Sequence, residues 1–182
     1  MKRVLWICPA ILLCCANAHA QNMEAPSTPQ WELSAGYSFL KANFGGPGTS
    51  FNLNGGGGAI GENVNNWFGG RFEVNAFGGS VGGTNVTAQT FTFGPVISYR
   101  KFARFTPHGT VQIGSMHASP GYLGISVSAF KFAIASGGGV DVRINRRAAV
   151  RLQAEYLMSR FLGLRQDNLQ VSTGVVVYLG RK

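Results

Sequence analysis

Arg71, Glu73, Asp141, Arg143, Arg151 and Glu155 are the residues whose types and spacing first suggest chemistry in this chain. Each stands two positions from another polar side chain: Arg71 with Glu73, Asp141 with Arg143, and Arg151 with Gln153 and then Glu155. Opposite charges on neighbouring strands can pair, and charges taken out of water need such partners. Glu32, Arg100 and Lys131 hold equivalent alternate positions in other segments. The candidate site is therefore a polar network of Glu32, Arg71, Glu73, Arg100, Lys131, Asp141, Arg143, Arg151, Gln153 and Glu155. It offers one of two things, a packed ionic plug or a narrow charged pore.

Other chemistries lack a required member. His117-Ala118-Ser119 supplies a base and a hydroxyl, but no Asp or Glu lies between Ser119 and Asp141, so the histidine has no orienting acid. His108 and His117 are too isolated for a metal site, which wants three or four convergent ligands. Gly55 to Gly58 has no following Lys-Ser/Thr and is not a phosphate loop. Asn85-Val86-Thr87 matches a glycosylation sequon, a triplet common by chance. No catalytic residue, metal or cofactor is expected.

The elements that must position the network are strands. From Ala148, alternate residues read Ala148, Val150, Leu152, Ala154, Tyr156, Met158 on one face and Ala149, Arg151, Gln153, Glu155, Leu157, Ser159 on the other. A period of two is a β-strand with one apolar face. The segment before it sets Phe130, Phe132, Ile134, Val140 and Val142 against Lys131, Asp141 and Arg143, with Ile144 to Arg147 as a short turn.

The same alternation gives strands at Trp31–Lys41, Phe51–Gly61, Trp67–Gly78, Gln89–Phe102, Phe105–Met116 and Leu169–Gly180, making eight in all. Pro95 inside the fourth predicts a bulge, because proline cannot donate to a ladder. Connections near 42, 79 and 118 read as long loops, and those near 64, 103 and 145 as short turns.

Composition narrows the class. Charged residues are 13% of the chain, against roughly 25% in soluble domains. Lys2-Arg3, the apolar run Val4–Cys15 and Ala18-His19-Ala20 form an expected signal peptide, 1–20, cut after Ala20. All three cysteines would leave with it. Residues 21–30 are expected to be an unstructured leader and 31–182 one barrel domain. The formal net charge of +9 has nucleic acid as its sharp reading. Export argues against that and favours an anionic lipid or cell-wall partner.

Which face meets lipid follows from magnitudes. An Arg or Lys facing acyl chains at midplane costs roughly 2–4 kcal/mol, so the charged parity belongs inside. Trp31, Trp67, Tyr99, Phe102, Phe105 and Tyr178 near the short turns, with Phe39, Phe44, Phe77, Tyr122 and Phe161 toward the long loops, suggest two aromatic girdles. Arg100, Lys101, Arg104, Arg146, Arg147, Arg181 and Lys182 crowd the short-turn side. They read as a solvated rim or as an attraction to anionic headgroups.

Phe91 to Arg100 (FTFGP-x-x-x-YR), Gly139-Val140-Asp141…Arg151…Glu155-Tyr156 and Gly174-x-x-Val177-x-Leu179 make the chain resemble the small outer-membrane barrels. These are the OmpA/OmpX-type and opacity-protein families with an outer membrane protein beta-barrel domain. The resemblance implies an all-β, eight-stranded antiparallel up-and-down transmembrane barrel in the cell outer membrane. It implies a non-enzymatic monomer with a structural or surface-interaction role through its outer loops, the alternative being a narrow ion or small-solute porin. Its implied partners are outer-membrane lipid, lipopolysaccharide and, during biogenesis, the barrel-insertion machinery, with no nucleic acid. A related barrel, a lipid A deacylase, uses a His-x-Ser pair, which makes lipid A modification the remaining reading.

Overall fold

In a computed structural model, residues 28–43, 50–81, 84–120, 129–161 and 164–180 are described. The expected signal peptide and nearly all of the leader lie outside them. Eight strands follow in order: β1 Trp31–Asn43, β2 Ser50–Asn63, β3 Phe68–Val81, β4 Thr84–Ser98, β5 Phe105–Pro120, β6 Ala129–Arg143, β7 Ala148–Phe161 and β8 Leu164–Leu179. Every strand pairs antiparallel with its neighbours in sequence. β1 pairs β8 through Trp31↔Leu179 to Lys41↔Leu169, so the sheet closes on itself.

Closure removes every unpaired edge, the condition for crossing a membrane with strands. At 13 to 16 residues, the strands exceed the roughly 9–11 needed to cross a bilayer. Parity sorts the side chains. Leu33, Phe72, Phe93, Ile113, Phe132, Leu152 and Val175 face outward and are exposed, while Arg71, Thr92, Gln112, Asp141, Arg151 and Gln153 are buried within. An exposed apolar belt around a buried polar lumen is the reverse of a soluble barrel.

Two elements depart from the sequence reading. Gly79–Thr87 was expected as a long loop, but β3 runs to Val81 and β4 starts at Thr84, paired through Gly79↔Val86, Ser80↔Asn85 and Val81↔Thr84. β8 likewise begins at Leu164 rather than Leu169. Gly, Ser, Thr and Asn favour turns only when no neighbouring backbone offers hydrogen bonds, and here one does. The two remaining long connections, 44–49 and 121–128, lie outside the described residues.

Pro95 marks no bulge. Phe93↔Ile113 and Val96↔Thr110 share one register, with the ladder interrupted between them. The Thr110 hydroxyl donates to the Pro95 carbonyl at 3.0 Å.

At the short-turn end, 64–67 and 144–147 are built alike. Asn65 Oδ1 accepts from the backbone N–H of Trp67 at 3.0 Å and of Phe68 at 2.8 Å. Asn145 Oδ1 accepts from Arg147 N–H at 2.8 Å. In each turn two successive amides donate to the first residue of the next strand: Val64 and Asn65 to Phe68, Ile144 and Asn145 to Ala148.

Candidate functional site

The lumen has two zones. Toward the short turns it holds an ionic network centred on Glu32, which β1 places inward by parity. Glu32 accepts from Arg151 Nη2 at 2.9 Å, from Arg100 Nη2 at 2.7 Å and from Asn63 Nδ2 at 2.9 Å. It thereby ties β1 to β7, to the β4–β5 connection and to the end of β2.

Arg151 also grips Asp141 with Nε and Nη2, both at 2.7 Å. The two residues are direct partners in the β6–β7 register, and the fork-to-carboxylate geometry is the strong bidentate kind. Tyr178 donates its hydroxyl to Asp141 at 3.3 Å, and the Arg143 guanidinium lies 5.6 Å from the Tyr178 ring centroid. Arg100 comes from outside a strand. Its Nη1 donates to the Asn66 carbonyl at 3.0 Å and its Nη2 to Asn63 Oδ1 at 2.8 Å, so it caps the mouth.

The next layer is organised around Glu73. It accepts from Asn75 Nδ2 at 2.9 Å, Gln153 Nε2 at 3.3 Å and Gln170 Nε2 at 3.4 Å. Arg71 does not pair with Glu73; its Nη1 donates to Gln153 Oε1 at 2.9 Å. Gln153 therefore links the two charges. Gly57 is what lets Asn75 lie there, since a Cβ on it would meet Asn75 Oδ1, which accepts from Ser38. A cavity of about 40 Å³ touches Glu73, Asn75, Arg151 and Gln153. It has room for one or two waters.

Toward the other end the filling changes. Leu40, Leu53, Phe77, Ala88, Met116, Ala133, Ala135 and Leu157 form a buried cluster inside the barrel, with Phe51 and Val86 packed on it. They hold the same strand parity as the charges below. Between the zones, Glu155 is 3% exposed and its Oε1 has no hydrogen-bond partner.

Glu32, Arg71, Glu73, Asp141, Arg151 and Gln153, with Arg100 capping them at the short-turn mouth, are thus brought together; Arg143 stands at that mouth and Glu155 above the Glu73 layer. Lys131 is not brought in. It is half-buried beside Met116 in the β5–β6 register, ten residues and roughly 33 Å of strand from Asp141, at about 3.3 Å per residue.

Two girdle assignments are also corrected. Tyr178 is 8% exposed and bonded within the lumen, and Phe77 is 3% exposed within the apolar cluster. Parity decides both, because β8 and β3 turn those positions inward. Trp31, Trp67, Tyr99, Phe102 and Phe105 do face outward and are exposed, while Phe39 is half-buried. Phe44, Tyr122 and the Phe161 side chain lie outside the described residues. So does the Ser119 side chain, and Asp141, committed to Arg151, is at the far end from His117.

Asn63, Asn75, His108, Gln112 and Gln170 are also lumenal, although the candidate network does not include them. Their signal was the shared parity, which carries no information about partners. His108 Nε2 lies 3.3 Å from Gln153 Oε1, and Thr92 donates to Gln112 across the β4–β5 pair.

Comparison with known proteins places this geometry. A family model described as "Outer membrane protein beta-barrel domain" matches residues 7–176. No curated protein matches the sequence. Among solved structures, Neisserial surface protein A superposes with a TM-score of 0.73 at 12% identity, covering 82% of this chain and 97% of that one. The outer membrane protein OprG of Pseudomonas aeruginosa gives 0.60 at 9%, covering 86% and 98%. Ail, the attachment invasion locus protein of Yersinia pestis, gives 0.58 at 18%, covering 81% and 98%. At these identities the likeness is one of fold.

Proposed function

This chain belongs to the outer membrane protein beta-barrel domain family, and from that premise we propose that it is a closed, non-enzymatic barrel. On this reading it acts in the bacterial outer membrane through its outer connections, as a structural or surface-interaction protein. One observation carries the proposal. The lumen is filled twice over, by an ionic network at one end and by the Leu40–Leu53–Phe77–Leu157 cluster at the other.

An ion crossing the level of this cluster would shed much of its hydration against apolar side chains, although Thr90, Ser159 and Asn168 are buried beside them. An eight-stranded barrel is just wide enough for side chains to fill it. Conduction through the wild-type lumen is therefore not its work. Hydrolysis is disfavoured because the acid nearest His117 in sequence is bonded to Arg151 at the other end. The outer connections remain as the variable surface. The name of the Yersinia neighbour, attachment invasion locus, describes such a surface role for that protein. Outer-membrane lipid and lipopolysaccharide surround the belt, and the barrel-insertion machinery handles the chain during biogenesis.

A narrow pore is the second reading, favoured by the charged lower lumen and its cavity of about 40 Å³. Planar-bilayer recording separates the two. The purified barrel, checked for its heat-modifiable shift on a gel, is expected to show no resolved channel events. Steady openings from the wild type would overturn the closed reading and establish the pore.

A further inference from the structure

The short-turn end of the barrel carries exposed basic side chains, Arg146 and Arg147 foremost. The turns at 64–67 and 144–147 have the same hydrogen-bond pattern, with Asn65 and Asn145 in equivalent roles. They differ at the tip, where Asn66-Trp67 in one is Arg146-Arg147 in the other. The first shows that this turn closes without arginine. Arg146 and Arg147 are exposed, so neither turn geometry nor burial accounts for them.

They are not alone. The 99–104 connection stands beside the 144–147 turn, joined to it by the Arg143 amide donating to the Arg104 carbonyl at 2.8 Å. That connection brings Lys101 and Arg104. Lys101 is exposed, its Nζ 5.7 Å from the centroid of the outward Tyr99 ring. No acid occurs in 99–107 or 142–150. Four of the seven acids, Glu32, Glu73, Asp141 and Glu155, are sealed in the lumen and leave the rim uncompensated. The turn at 64–67 carries no base, and Glu62 precedes it. Among the described residues, the exposed basic side chains of this rim are thus gathered on the 99–104 and 144–147 connections. Directly beside them, Tyr99, Phe102 and Phe105 are exposed on the lipid-facing side.

We propose that the exposed Lys101, Arg146 and Arg147 form a one-sided crescent that binds the phosphates of anionic phospholipids in the adjoining leaflet. The aromatics beside it sit at headgroup depth, where indole and phenol rings anchor a protein to the interface. Each Lys or Arg near an anionic surface shifts partition by roughly fivefold. A zwitterionic headgroup, with its own ammonium, gains little. A soluble anionic polymer would not require the apolar ring at the same height, which is why the lipid is favoured.

The test uses the folded full barrel in detergent, offered phosphatidylglycerol and phosphatidylcholine of identical acyl chains, with retained lipid counted by native mass spectrometry. The wild type is expected to retain phosphatidylglycerol preferentially. The Arg146→Asn/Arg147→Asn variant, which leaves this turn as uncharged as its sister, is expected to lower that preference on the order of tenfold. Lys101→Gln should lower it less, and Lys41→Gln at the opposite end should leave it intact. The heat-modifiable gel shift verifies that each variant is folded. Equal retention of the two lipids by the wild type overturns the proposal. So does a preference that survives the double substitution.

Discussion

The lower lumen and the upper lumen occupy the same strand parity and are filled by opposite chemistry. Below, Glu32, Asp141 and Arg151 are joined at 2.7–2.9 Å, and each charge has a partner on another strand. Above, Leu40, Leu53, Phe77, Met116 and Leu157 meet with no directional contact at all. The difference separates two tasks. Ions penalise any register but one, because a slipped strand leaves a buried charge unpaired. Apolar packing is less particular about register, yet it removes water from the axis more completely. The charged zone is suited to fixing the barrel's pairing, and the apolar zone to sealing it.

The largest effect should come from unpairing the lower zone. Arg151→Leu strands Asp141 without its bidentate partner and leaves Glu32 only Arg100 and Asn63, and is expected to cost about 4 kcal/mol. The urea midpoint of the barrel in lipid vesicles would measure it. Adding Asp141→Leu should restore much of that loss, since removing both ions is milder than orphaning one. A smaller cost for the single variant than for an apolar truncation would break the contrast between the zones.

Next in size is Phe77→Ala, expected to destabilise by about 3 kcal/mol through the cavity it leaves. Its distinguishing signature is electrical. If the apolar zone is the seal, this variant gains small conductance steps while folded Arg151→Leu stays silent. The reverse pattern would transfer the sealing role to the ions.

The smallest effect sharpens the boundary between lumen and girdle. Tyr178→Phe removes the hydroxyl bonded to Asp141 and should cost about 1 kcal/mol. Tyr99→Phe, on the outward face, should stay within about 0.5 kcal/mol. Equal values would show that Tyr178 behaves as a girdle residue despite its burial.

Much of the barrel was legible because strand parity is a local property. Arg151, Gln153 and Glu155 had to share a face, and Leu152 and Tyr156 the other, whatever the neighbours were. Where the reading failed, it set parity aside. Tyr178 and Phe77 were assigned by their nearness to strand ends, and Gly79–Thr87 by loop-like composition. In each case the pleat or the ladder prevailed over the residue type. Lys131 failed differently. Its inward parity was right, but parity does not report height along the axis.

Alternating side-chain chemistry, together with the low charge content and apolar outer faces, determined by itself that this chain makes strands whose ions avoid lipid. That follows from the stereochemistry of an extended backbone and needs no partner strand. Only the closed tertiary structure decided that Glu32 bridges β7 and the β4–β5 connection, that Gln153 stands between Arg71 and Glu73, and that the ionic network gathers at one end of the lumen and an apolar cluster, with neutral polar side chains beside it, at the other. Those contacts join residues up to 119 positions apart. They are set by which strands face each other across the axis and at what stagger, and no local pattern encodes that.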